Sequence, residues 1–121
     1  MTSKSIEFVD NLKRRFKNFV VESTKLYQSL PNTGEAKIFG NQFLRSASSA
    51  GANYHAACRA RSTKEFYAKM SIVVEEIDEA CFWLEILTET KVSEISETAN
   101  LLKEAQELLA IVARARKNIY K

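Results

Sequence analysis

Proline and glycine are nearly missing, with one proline and three glycines in 121 residues. A sheet protein needs those residues at its turns, so a turn-rich β fold is excluded. Three isolated glycines also build no phosphate-cradling loop. Histidine occurs once, as His55, and position 52 is Ala52. The inward Glu-x-x-His pairs of a di-iron bundle are therefore absent, and no metal or other cofactor is expected. Cys58 and Cys81 stand apart, without CxxC or metal-ligand spacing. They read as reduced core or near-surface thiols of a cytoplasmic protein. No apolar run approaches the roughly 20 residues of a membrane span. The opening MTSKSIEFVD lacks a basic region followed by an apolar one, so no signal peptide is read. His55 and Cys58 are i, i+3 neighbours. Nothing suggests the oriented base and oxyanion site that would make them a nucleophilic pair, so no catalytic residue is expected.

What remains is 45% apolar and 27% charged, the balance of a soluble globular chain. Residues 1–121 read as one domain. The apolar positions recur every three or four residues, and four helices follow. The first runs from about Ser5 to Ser29, with Phe8, Leu12, Phe16, Phe19, Ser23, Leu26 and Leu30 on one stripe. Pro31-Asn32-Thr33-Gly34 ends it and turns the chain. The second runs from about Glu35 to Ala60, capped by Asn32 or Thr33. The third opens on a capping box, Ser62 with Glu65, and runs to about Thr88. Its stripe is Phe66, Met70, Val73, Ile77, Ala80, Cys81, Leu84 and Leu87. The fourth runs from about Glu94 to Tyr120, with Ser93 as cap and Ile95, Ala99, Leu102, Gln106, Leu109, Ala113 and Tyr120 on its face. Short connections make sequential helices antiparallel, and the fold class is an all-α, up-down-up-down four-helix bundle.

Some large apolar residues fall off these stripes. They are Phe82, Trp83 and Ile86 in the third helix, and Leu101, Leu108 and Ile111 in the fourth. A second buried surface would use them, and Phe82, Trp83 and Ile86 are expected to touch another subunit.

The second helix is unlike a solvated helix. Phe39, Phe43, Ala47, Ala50 and Tyr54 form an apolar stripe. Gln42, Ser46, Ser49 and Asn53 form a polar stripe beside it, with Arg45 next to them. The small residues from Ala47 to Ala52 would let a neighbouring backbone approach, with the amides and hydroxyls bonding across the contact. Gly51 costs about 1 kcal/mol relative to alanine in a helix, and close packing would compensate. Arg45 is expected to hydrogen-bond within the bundle or between subunits.

The formal charge is a mild +3, but it is clustered. Lys13, Arg14, Arg15 and Lys17 come early, and Arg114, Arg116, Lys117 and Lys121 end the chain. Arg59, Arg61 and Lys64 surround the turn between the second and third helices. In an up-down bundle that turn shares an end with the last turn of the fourth helix. Arg59, Arg61, Lys64, Arg114, Arg116 and Lys117 are then candidates for contacting RNA or another nucleic acid. The alternative is that basic residues simply favour helix C-termini through the dipole. Glu75, Glu76 and Glu79 read as a solvated acidic face.

The stretch from Gln42 to Leu87 resembles the four-helix-bundle family of the 23S rRNA intervening-sequence proteins, whose relatives include the accessory variability proteins of diversity-generating retroelements. The residues that carry the resemblance are Gln42, Arg45, Ser46, Ala47, Ser49 and Asn53, then Ser62 and Phe66, then Glu79 and Trp83-Leu84. One departure is plain: the family's glutamate after the asparagine falls at Ala56 in Asn53-Tyr54-His55-Ala56-Ala57. The resemblance implies a ring-like homo-oligomer, a pentamer in known relatives, and does not imply an enzyme. The expectation is a non-enzymatic, oligomeric helix-bundle adaptor that binds nucleic acid through its basic surface. A protein-interaction scaffold with no nucleic-acid role stands as the alternative, and a small-molecule or metal site in the bundle as a weaker third.

Overall fold

A computed structural model describes residues 3–120, apart from the Ser5 side chain. Lys121 and the first two residues lie outside the described residues. Four helices follow one another: α1 (Ser3–Ser29), α2 (Gly34–Ala57), α3 (Thr63–Glu89) and α4 (Ile95–Asn118). Each packs on its two neighbours around a square. The α2–α3 seam is the most extensive and the α1–α4 seam the thinnest. Among the described residues, no helix is long and apolar enough to cross a membrane.

The turns explain where the helices start and stop. Thr33 caps α2 by accepting from the Ala36 N–H at 3.3 Å. Ser62 caps α3 by accepting from the Glu65 N–H at 3.0 Å. The return half of the expected capping box is not seen among the described residues. The Glu65 carboxylate instead faces Arg61 at 3.9 Å. α2 stops at Ala57, earlier than the expected Ala60, because the chain tightens there. The Arg59 and Ala60 N–H groups reach back three residues, to Ala56 and Ala57. α3 exits through Lys91, which sits at φ 61°. That left-handed residue brings the Ser93 N–H within 3.0 Å of the Leu87 carbonyl. Ser93 is therefore not the cap of α4. It is buried in the α3 exit, its hydroxyl 3.4 Å from Glu97, and Glu94 occupies the cap position.

One core runs through all four helices. α1 supplies Leu12, Phe16, Phe19, Ser23 and Leu26, and α2 supplies Phe43, Ala47, Ala50, Tyr54 and Ala57. α3 buries Met70, Val73, Ile77, Ala80, Cys81, Leu84 and Leu87, the expected stripe except that Phe66 is half-buried. Each fully buried Phe or Leu contributes about 1.5–3 kcal/mol of apolar transfer. Among the described residues, the buried Ser23 hydroxyl has no hydrogen-bond partner. Phe8 departs from the α1 stripe. It is 55% exposed at the mouth of a groove shared with Ala110, Ile111 and Ala115 of α4.

The expected face of α4 is wrong by one residue. Thr98, Leu101, Ala105, Leu108 and Val112 are buried, whereas Ile95, Ala99, Gln106 and Tyr120 are exposed. Two apolar stripes run side by side on this helix, so periodicity alone does not choose between them. The chemistry of the central position does: one stripe places Ala105 in the core, and the other would bury the Gln106 amide. Leu101 and Leu108 are thus core residues, and α4 has no surplus beyond its packing needs there.

The two inner glycines of α2 both face α1. A Cβ at Gly51 would lie 2.6 Å from Val20 Cγ2, and one at Gly40 would lie 2.7 Å from Leu30 Cδ1. Val20 is branched at Cβ and yields little. Gly51→Ala would gain about 1 kcal/mol of helix propensity and lose about 1–3 kcal/mol to overpacking. The variant is expected to melt a few degrees lower, with Gly51→Ala/Val20→Ala recovering most of the loss. A single variant that melts higher would show that the contact is not tight.

Burial, then the fields of Asp78 and Glu85, raises the Cys81 thiol to about 11 from an ordinary value of 9.0. Burial, followed by the neighbouring Cys58, likewise raises Tyr54. An unfolded chain releases the Cys81 proton near its ordinary value while the folded chain keeps it. That contribution is complete below 9.0 and is lost as pH rises toward 11. Iodoacetamide applied to the folded protein at about pH 8 should label half-buried Cys58 and spare Cys81. Equal labelling of both would contradict this placement.

Candidate nucleic-acid interface

The antiparallel order sets the last turn of α2, the first turns of α3 and the last turn of α4 at one end of the bundle. Side-chain contacts join α3 to α4 there. Tyr67 and Tyr120 meet with ring centres 5.0 Å apart, and the Arg116 guanidinium carbon lies 5.9 Å from the centre of the Tyr67 ring. Arg59, Arg61 and Lys64 are exposed around the α2–α3 turn. Among the described residues, the Arg61–Glu65 contact at 3.9 Å is the one ion pair that involves the six candidate cations. Among the described residues, the other five have no carboxylate at ion-pair distance.

The six do not form one compact cluster. Arg116 lies against α3, but Arg114 lies on another side of α4, in the groove with Phe8 of α1. The bundle end is therefore a broad basic rim rather than a pocket. Tyr120 was expected in the core of α4. Instead it is exposed on this rim, because the burying stripe passes through Val112 and leaves Tyr120 beyond the core.

The early basic cluster is divided by its contacts. Arg15 spans the α1–α4 seam, with Nη2 2.6 Å and Nε 3.0 Å from the two Glu104 oxygens and Glu107 at 3.3 Å. The Glu104 hydrogen bond is the main reason its pKa lies above the usual value, despite partial burial. Lys13, Lys17 and exposed His55 instead line an open groove of about 610 Å³ between α1 and α2. Phe16, Val20, Val21 and Gly51 also line it. Tyr54 stacks on Phe16 at 4.7 Å and belongs to the core. Cys58 neighbours Tyr54, so its contact in the fold is a phenol.

The polar stripe of α2 divides in the same way. Ser46, Ser48 and Asn53 bond back to carbonyls of their own helix, at 2.9, 2.7 and 2.9 Å. This departs from the expected bonding across the helix contact. Among the described residues, Ser46, Ser48, Ser49 and Asn53 make no bond across a helix contact, and the α2 amide that does is Asn41, whose Oδ1 accepts from the Tyr27 hydroxyl of α1 at 2.7 Å. The small size of the stripe residues, rather than their polarity, serves the packing. Arg45 is the member that crosses. It donates to Glu76 at 2.9 Å and to Glu79, while Gln42 lies 3.4 Å from its Nε. Desolvation opposes its charge, but Glu76 and Glu79 outweigh that and raise its pKa. Glu79 also accepts from Trp83 Nε1 at 3.3 Å, and Trp83 stacks on Phe39 of α2 at 5.9 Å. Glu76 and Glu79 are thus engaged with α2 and are not merely a solvated face.

Outside this network, α3 keeps an outward stripe of Glu75, Phe82, Ile86 and Glu89. Phe82 is 51% exposed and rests edge-on against Trp83. Trp83 and Ile86 are half-buried. Among the described residues, no three His, Cys, Asp or Glu side chains converge as a metal-binding group.

The model of the family described as 23S rRNA-intervening sequence protein matches residues 11–114. The chain is also similar to the crystal structure of a protein of unknown function from the S23 ribosomal protein family of Bacteroides thetaiotaomicron VPI-5482. The two are 27% identical and superpose with a TM-score of 0.83, over 91% of this chain and 98% of that one. Among curated proteins, none matches the chain.

Proposed function

The chain belongs to the family of 23S rRNA-intervening sequence proteins, and on that footing we propose that it is a non-enzymatic adaptor that binds nucleic acid through the basic rim of its bundle. The observation that carries this reading is the set of cations around the α2–α3 turn and the end of α4. Arg59, Lys64, Arg114, Arg116 and Lys117 have no carboxylate at ion-pair distance among the described residues, and Arg61 has only Glu65 at 3.9 Å. Elsewhere Arg15 and Arg45 are held by glutamates. Free cations replace the condensed counterions of a phosphate backbone, which makes the binding salt-sensitive.

The same reading makes the protein a homo-oligomer, a ring of the pentameric kind that the resemblance implies. The outward stripe of α3 is apolar at Phe82 and Ile86 and acidic at Glu75 and Glu89. The α1–α2 groove is lined by apolar residues and by Lys13, Lys17 and His55. These surfaces are complementary to each other rather than to themselves. A contact between two different faces is heterologous, and it closes into a ring when the rotation allows.

A second reading, a scaffold for a protein partner with no nucleic-acid role, rests on the exposure of Phe82 in that acidic stripe. A stoichiometric protein co-purifying at low salt without nucleic acid would favour it.

Reversing Arg59, Arg61 and Arg116 to glutamate should weaken binding of a labelled RNA oligonucleotide by about tenfold or more and flatten its dependence on salt. Unchanged affinity would remove the rim as the interface. Separately, Phe82→Asp with Ile86→Asp should lower the mass measured by light scattering to that of a single chain. A variant that keeps the native mass would place the subunit contact elsewhere.

A further inference from the structure

We propose that Tyr67 and Tyr120 form a stacking platform for unpaired bases, so that the ligand of the basic rim is single-stranded nucleic acid rather than a duplex. This rests on the reading of the rim as a nucleic-acid surface and names the ligand class that it takes.

The two tyrosines come from separate helices. Tyr67 lies in the second turn of α3, and Tyr120 follows the end of α4. Their rings touch at 5.0 Å with a tilt of 46°, yet 36% of Tyr67 and 63% of Tyr120 remain in water. The core does not require either ring. Arg116 lies at 5.9 Å from the centre of the Tyr67 ring. A guanidinium at that distance steadies an exposed aromatic ring by cation–π attraction. The arrangement therefore sets two aromatic faces and a cation side by side at the end that also carries Arg59, Arg61, Lys64 and Lys117.

Cations alone do not separate single strands from duplexes, since both present phosphates. Aromatic faces do. In a duplex the base faces are covered by neighbouring bases, and a flat tyrosine surface has nothing to stack on. A single strand offers an open face at each base. Proteins that hold single strands without sequence preference combine a basic track for the backbone with aromatic rings for the bases. That combination is present at this end of the bundle, and the phosphate-binding role alone would leave the two exposed rings without a use.

The test compares Tyr67→Leu/Tyr120→Leu with Tyr67→Phe/Tyr120→Phe in the full chain, after melting curves confirm that both are folded. Three labelled probes of equal length are titrated at low salt by fluorescence anisotropy: oligouridylate, oligodeoxythymidylate and a duplex RNA. The leucine pair should lose about tenfold or more in affinity for whichever single strand the native protein binds. Its duplex affinity and the slope of log affinity against log salt should stay native. The phenylalanine pair, which keeps the ring faces, should bind as the native protein does. The uridylate and thymidylate arms separate RNA from DNA as the source of the strand. Native single-strand affinity in the leucine pair would overturn the platform while leaving the basic rim intact. An equal loss on the duplex would also overturn it. If the native protein binds none of the probes, the rim and the platform fall together.

Discussion

The fold depends on how closely α1 and α2 approach, and two absent methyl groups set that distance. Gly40 and Gly51 lie eleven positions apart, three helical turns, so they present the same side of α2 to α1. Val20 occupies the space at Gly51 and Leu30 the space at Gly40. With α1 held that near, Phe16 reaches Tyr54 and stacks on it. α2 is then free to give its alanine-rich side to α3, the most extensive seam of the bundle. The small residues of α2 thus let one helix be packed on two sides at once, which no helix with an ordinary charged face could be.

Charge organises the outside of that frame by a simple division. At two of the four seams an arginine crosses and is held by glutamates: Arg45 from α2 to α3, and Arg15 from α1 to α4. At the end of the bundle, basic residues have no such partner across a seam among the described residues. The distinction separates cations that fasten helices from cations available to something else. The modest net charge of the chain hides it, because fastened and free residues count equally in the sum.

Much of this was legible in the sequence because the signals were redundant. The α3 stripe from Met70 to Leu87 is apolar at every step, whereas the rest of that helix mixes Glu75, Glu79 and Glu89 with Phe82 and Ile86, so the core face stood out. The turn at Pro31 and the cap at Ser62 left little freedom in the boundaries. α4 was not legible in that way. Its leucines come in adjacent pairs, Leu101-Leu102 and Leu108-Leu109, and each pair offers a residue to either of two stripes. Gln106 held the answer, since a buried amide needs a partner and Ala105 needs none. The partners of Arg15 and Arg45 lie 89 and 31 or 34 positions away. A pattern along one helix says that an arginine is out of place, but not which carboxylate on another helix receives it. Tyr67 and Tyr120 were hidden for the same reason, since their meeting depends on the rotation of α4.

The α1–α4 seam is the thinnest of the four, and Arg15 bridges it from one side to Glu104 and Glu107. A bundle closed this unevenly has a preferred place to open. The α2–α3–α4 sheaf has the more extensive seams, whereas α1 is held by one close seam and one slight one. Local opening is drawn from the least-packed part of a structure. Fluctuations of the native state are therefore expected to begin with α1 swinging away from α4 about its glycine contacts with α2, a hinged lath on an otherwise rigid frame.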